Sequence, residues 1–123
     1  MRPLHRYSLL LLLWIGVFAA CTGTEAAYLY QQAEAHIAAG EYTAAEALYQ
    51  SARHTYPDDP KPAYRLAQLY QQWGRPELGL SALEEAIRNG LPAQKDEEAQ
   101  HLRLTLLAQV GAWEQVIAEA ETM

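Results

Sequence analysis

The chain has 123 residues, half of them hydrophobic and a fifth charged, which suffices for one compact domain once any export segment is set aside. Its formal net charge is −6, and beyond residue 20 seven basic side chains face fifteen acidic ones, a balance of −8. Such a surface repels nucleic acid and gains nothing from an anionic bilayer, so DNA and RNA binding are excluded as function classes.

The first 20 residues read as an address. Met1 to Ser8 holds Arg2 and Arg6 and no acid, and Leu9 to Phe18 is an unbroken apolar run. Ala19, Ala20 and Cys21 follow. Basic start, short apolar middle and small exit residues make a secretory signal. The run falls short of the roughly 20 apolar residues that a bilayer core demands, so an uncleaved anchor is the weaker reading. Cys21 is the sole cysteine, which rules out an internal disulfide and leaves a thiol at the signal's exit.

Phe18-Ala19-Ala20-Cys21 resembles the lipobox of bacterial lipoproteins, with Phe18 standing where that family usually has leucine. The resemblance implies cleavage before Cys21, a diacylglyceryl group on its thiol and acylation of its new amino group. Each buried methylene contributes about 0.8 kcal/mol, so a two-chain anchor holds firmly. Thr22, rather than aspartate, after the cysteine is similar to lipoproteins sent to the outer membrane of Gram-negative hosts. Inner-membrane anchoring stays open, as does plain cleavage after Ala19 or Ala20, which would leave a free periplasmic protein.

Beyond a short linker (21–25) the pattern turns helical, and three segments superimpose by their glycines. These are Ala39-Gly40-Glu41-Tyr42, Trp73-Gly74-Arg75-Pro76 and Val110-Gly111-Ala112-Trp113, spaced 34 and 37 residues apart. The longer spacing falls in the loop 90–95, where insertion is cheap. Small and large apolar residues recur in the same register: Ala33, Ala45, Tyr49 and Ala52, then Ala67, Tyr70, Gly79, Leu83 and Ala86, then Leu107, Val116 and Ala120. This 34-residue helix-turn-helix period resembles the tetratricopeptide repeat. Leu66 meets the family's leucine on the first helix, whereas Gln32 and Arg103 depart from it. The resemblance implies an all-α, right-handed solenoid of three helix-turn-helix repeats over 26–123 (about 26–59, 60–93 and 97–123), preceded by the cleavable signal.

Six helices are expected, at about 25–39, 43–55, 60–73, 76–89, 96–110 and 113–122. Thr43 with Glu46 reads as a capping box. Pro60 and Pro76 suit a first helical turn, and Asp96 suits an N-cap with Glu97 and Glu98 at the positive end of the helix. On the last helix Trp113, Val116, Ile117 and Ala120 share one face and are expected to pack inward, with Gln115, Glu119 and Thr122 outward. The alternative is that this end docks on a partner or a second copy.

In tetratricopeptide-repeat proteins the first helix of each pair lines a groove that holds a peptide. By repeat equivalence that face carries Tyr30, Tyr64 and His101, and Glu34, Gln68 and Thr105, with Gln71, Gln72 and Gln109 adding amides that can pair with a peptide backbone. Tyr30 and Tyr64 are the expected anchors, since aromatics dominate interface energetics. The lysine, arginine and asparagine clamp by which some such proteins grip a terminal carboxylate has only Lys61 and Arg65 as counterparts.

Catalysis finds little support. His5, His36, His54 and His101 are scattered, and HExxH, Gly-x-Ser-x-Gly, a phosphate loop and Cys/His metal spacing are all missing. No enzyme activity, cofactor, metal or small-molecule substrate is expected. The expectation is a lipid-anchored adaptor that binds a protein or peptide in the cell envelope, as in pilus or envelope assembly. The alternative is a structural subunit of a larger envelope complex.

Overall fold

The computed structural model describes residues 25–94 and 96–123; the signal segment, Cys21 and Thr22 lie outside them. Among the described residues there are six helical segments and no strand. They are α1 (25–38), α2 (Tyr42–Thr55), α3 (Pro60–Trp73), α4 (Pro76–Arg88), α5 (Glu97–Gln109) and α6 (Trp113–Thr122). None of the helices is long and apolar enough to cross a membrane.

Each pair turns at a glycine in the left-handed region, where a side chain would be strained: Gly40 (φ 76°), Gly74 (φ 74°) and Gly111 (φ 78°). The three bends close with the same two bonds. Glu41, Arg75 and Ala112 amides donate to His36, Tyr70 and Leu107 carbonyls at 2.8, 2.8 and 2.9 Å. The glycine amides donate three residues back, to Ile37, Gln71 and Ala108. This is the Schellman motif, which satisfies carbonyls that a helix end otherwise leaves open. It recurs after α4, where the Leu91 amide reaches the Ala86 carbonyl at 2.9 Å.

Start signals are met at two helices. Asp59 accepts from the Lys61 amide at 3.0 Å ahead of Pro60, and Asp96 accepts from the Ala99 amide at 3.2 Å. The expected Thr43–Glu46 capping box does not form. Helix α2 already begins at Tyr42, with Glu41 as N-cap and no side-chain cap bond. The Gly40 bend delivers the chain straight into α2, so Thr43 falls in the first turn and has no orphan amide ahead of it to serve.

The core runs through α1 to α5. Ala33, Ala45, Ala52, Ala67 and Ala86 are fully buried where helices approach, and Tyr49, Leu66, Leu69, Leu83 and Leu106 fill the space between them. A Cβ on Gly79 would sit 2.6 Å from Leu106 Cδ2, so this glycine lets α4 and α5 close together. Successive helices pack on one another, and α3 also reaches α5 across the intervening helix, as a stack of hairpins requires. The first two hairpins are tied by Asn89 Nδ2, which donates to the Pro57 carbonyl at 3.1 Å, and by an Arg53–Glu85 ion pair at 3.3 Å.

Helix α6 breaks the pattern. Trp113, Val116, Ile117 and Ala120 were expected to face inward, yet α6 buries no residue, and Trp113 and Ile117 are 62% and 59% exposed. Ala120 is exposed too, and only Val116 is half-buried. Glu119, expected outside, instead turns toward α5, where its Oε1 lies 2.7 Å from Arg103 Nε. Arg103 occupies the position that Leu66 holds in the second hairpin, and Glu119 the position that the buried Ala82 holds, so α6 keeps the hairpin register and its apolar stripe lies on the side that α3 and α5 cover on α2 and α4.

Candidate functional site

The first helices of the three pairs form one wall of a groove of about 880 Å³. Helix α1 contributes Glu34, α3 contributes Tyr64, Gln68, Gln71 and Gln72, and α5 contributes His101 and Thr105. All lie on faces that the hairpin register leaves unpacked. The structure therefore brings Glu34, Tyr64, Gln68, Gln71, His101 and Thr105 to one surface. Gln109 lies outside this lining, on the exposed last turn of α5.

Tyr30 is the exception and corrects the expectation of paired tyrosine anchors. It is 7% exposed, belongs to the core and does not line the groove. Its ring lies 5.9 Å from that of Tyr49, and Lys61 Nζ covers it at 4.5 Å from the ring centroid. The register counterparts of Tyr49 on the later hairpins are Leu83 and Ala120, progressively smaller. The counterparts of Tyr30 emerge in step: Tyr64 is half-buried and His101 exposed.

The lining is acidic. Glu34, Glu97 and Glu98 stand against Arg65, whose Nη1 lies 3.7 Å from Glu34 Oε1. Burial first, and then the carboxylates of Asp96 and Glu98, push the Tyr64 hydroxyl above its ordinary pKa. Both parts of that cause raise the cost of adding negative charge here. Lys61 and Arg65, the only cations at the clamp positions, are engaged by Tyr30 and Glu34 respectively. Among the described residues no group of three or more His, Cys, Asp or Glu could hold a metal ion. The half-buried His36 directs Nδ1 to Glu41 Oε2 at 2.7 Å, bracing the first bend from outside.

Three Schellman bends in register and a groove lined by every first helix describe one repeating unit. Residues 26–69 match the family model of the tetratricopeptide repeat. The match takes in nearly all of α1, all of α2 and most of α3. It supports reading the chain as a tetratricopeptide-repeat protein, and the repeat as a protein-interaction module. No curated protein matches the chain.

Sequence reasoning named Arg65 at a clamp position but missed Glu97 and Glu98 as lining residues. They sit about one turn before His101, and repeat equivalence alone does not register them. The counterpart of Lys61 on α5 is Glu98, and that change of sign was the available signal.

Proposed function

We propose that the chain is a lipid-anchored adaptor at the periplasmic face of the bacterial outer membrane, and that its groove takes a segment of a protein partner. The observation that carries the groove is the gathering of Tyr64, Gln68, Gln71, His101 and Thr105, from two different repeats, on one open surface with Glu34. Amides can pair with the backbone of an extended peptide, and the half-buried Tyr64 ring offers an anchor that is already partly desolvated. Three carboxylates against one paired arginine favour a segment bearing lysine or arginine. Selection of displayed peptides against the full chain tests this. The selected peptide is expected to bind at least about tenfold more weakly to Tyr64→Ala/Gln68→Ala. Unchanged affinity would remove the groove from the account.

The anchor rests on the sequence: Cys21 follows a basic start, an apolar run and two alanines. Labelling with a fatty-acid analogue is expected to mark the wild type and not Cys21→Ser. A labelled mutant would contradict lipidation, and would leave a free periplasmic protein or an uncleaved segment as the alternatives. A structural role in a larger complex is the second reading, favoured by the apolar face left open on α6.

A further inference from the structure

The hairpin register assigns a job to the outward face of α6. Counting from the bend glycines, Trp113 corresponds to Tyr42, Ile117 to Leu80, Ala120 to Tyr49 and Leu83, and Met123 to Ala52 and Ala86. In the first two hairpins these positions are closed by the first helix of the next pair. The Trp73 ring lies 5.8 Å from that of Tyr42, Tyr49 and Leu83 are 2% and 1% exposed, and Ala52 and Ala86 are fully buried. In the third hairpin Trp113 and Ile117 are 62% and 59% exposed and Ala120 is exposed too, whereas Met123 turns back toward the groove and α5 and is not part of the open face. The interface that α2 offers α3 and that α4 offers α5 is offered again by α6. Its shape is that of a surface for a helix.

Charge selects the occupant. Helix α6 carries Glu114, Glu119 and Glu121 and no base. Arg103 answers Glu119 from the α5 side, while Glu114 and Glu121 are exposed along one edge of the Trp113–Ile117 stripe. A second copy would bring these carboxylates against their own images on an already acidic chain, which disfavours self-pairing. We infer that the outward face of α6 docks an amphipathic helix of another polypeptide, with apolar residues against Trp113 and Ile117 and basic residues along the edge facing Glu114 and Glu121.

The test is binding of a labelled peptide to the full chain in mild detergent, read by fluorescence anisotropy. The peptide is a helix of about 16 residues, roughly four turns, with alanine, leucine, tyrosine and tryptophan at the α3 spacing on one face and two lysines along its edge. Trp113→Ala/Ile117→Ala is expected to weaken it by at least about tenfold, as truncation of central apolar anchors does. The two residues are exposed, so circular dichroism should stay unchanged. Glu114→Lys/Glu121→Lys is expected to reverse the preference toward a glutamate-edged version of the same peptide, and Tyr64→Ala in the groove is expected to change nothing. Equal binding by Trp113→Ala/Ile117→Ala, or indifference to the sign of the peptide's edge, would overturn the inference. Dimerisation that depends on Trp113 without peptide would also overturn it, by giving the face to a second copy.

Discussion

Arg103 Nε lies 2.7 Å from Glu119 Oε1, joining α5 to α6 through a charge pair at register positions that the second hairpin fills with Leu66 and Ala82. Leu66 and Ala82 both sit in the core, whereas Arg103 and Glu119 are 41% and 33% exposed at their side chains. The guanidinium Nε makes no hydrogen bond despite its short distance to the carboxylate, so the pair holds by charge without alignment. An apolar contact in one repeat has become a solvent-screened one in the next.

Restoring the second hairpin's pattern should therefore strengthen the third. Arg103→Leu/Glu119→Ala is expected to raise unfolding free energy by about 1 kcal/mol, since half-exposed ion pairs contribute little and a buried leucine more. Glu119→Ala alone should cost less than about 1 kcal/mol. Urea melts of the two variants beside the wild type check both. Destabilisation by the double substitution would mean that the charge pair is indispensable to the hairpin.

Helix α6 should also be the first element to open. It buries no residue and no described helix packs beyond it, so its amides are expected to exchange with solvent ahead of those of α3 and α4 in native-state hydrogen exchange. Equal protection across α3, α4 and α6 would contradict this order.

Two positions test the packing. Gly79→Val is expected to destabilise by about 1–3 kcal/mol, because a Cβ already meets Leu106 at 2.6 Å and a branched one forces α4 and α5 apart. Gly74→Ala, with open space around it but φ at 74°, is expected to cost about 1 kcal/mol through backbone strain alone. Chemical denaturation separates the two by size. A neutral Gly79→Val would show that the helices do not approach as closely as described.

Tyr30 offers a pH-dependent check. Its hydroxyl is buried without a hydrogen-bond partner among the described residues. Burial first, and then the charge of Asp59, raise its pKa from 10.0 to about 12. A pKa raised on folding means that the stability tied to the neutral phenol is present in full below pH 10.0 and is lost as pH climbs toward about 12. Tyr49, Tyr64 and Tyr70 are raised in the same direction, each chiefly by burial. Tyr30→Phe is expected to gain about 1 kcal/mol at neutral pH by removing an unsatisfied hydroxyl, and to shrink the loss above pH 10. Thermal melts between pH 7 and 11 check the sign. Destabilisation at neutral pH would show that the hydroxyl is satisfied.

Much of this architecture was legible because the hairpin bends carry local signals. A glycine in the left-handed region, a proline in a first turn and an aspartate before a helix act within a few residues, and Gly40, Gly74, Gly111, Pro60 and Asp96 all stand where the sequence puts them. What failed depends on neighbours. Repeat spacing equates Tyr30 with Tyr64, but Tyr30 is buried beneath Tyr49 and Lys61, neighbours that the spacing does not name. The spacing of Trp113, Ile117 and Ala120 marks a stripe without saying what it meets, and among the described residues no helix lies beyond α6 to cover it. The Thr43 capping box failed because Gly40 leaves no free residue between the bend and α2.

The claim most in need of a direct test is that α1, α3 and α5 hold a partner between them. Amide and side-chain chemical shifts of the full chain in mild detergent, followed during titration with a peptide selected by display, map where that peptide sits. The account predicts changes concentrated at Glu34, Tyr64, Gln68, His101 and Thr105, with α4 silent. Changes confined to α4, with the groove residues unmoved, would contradict it.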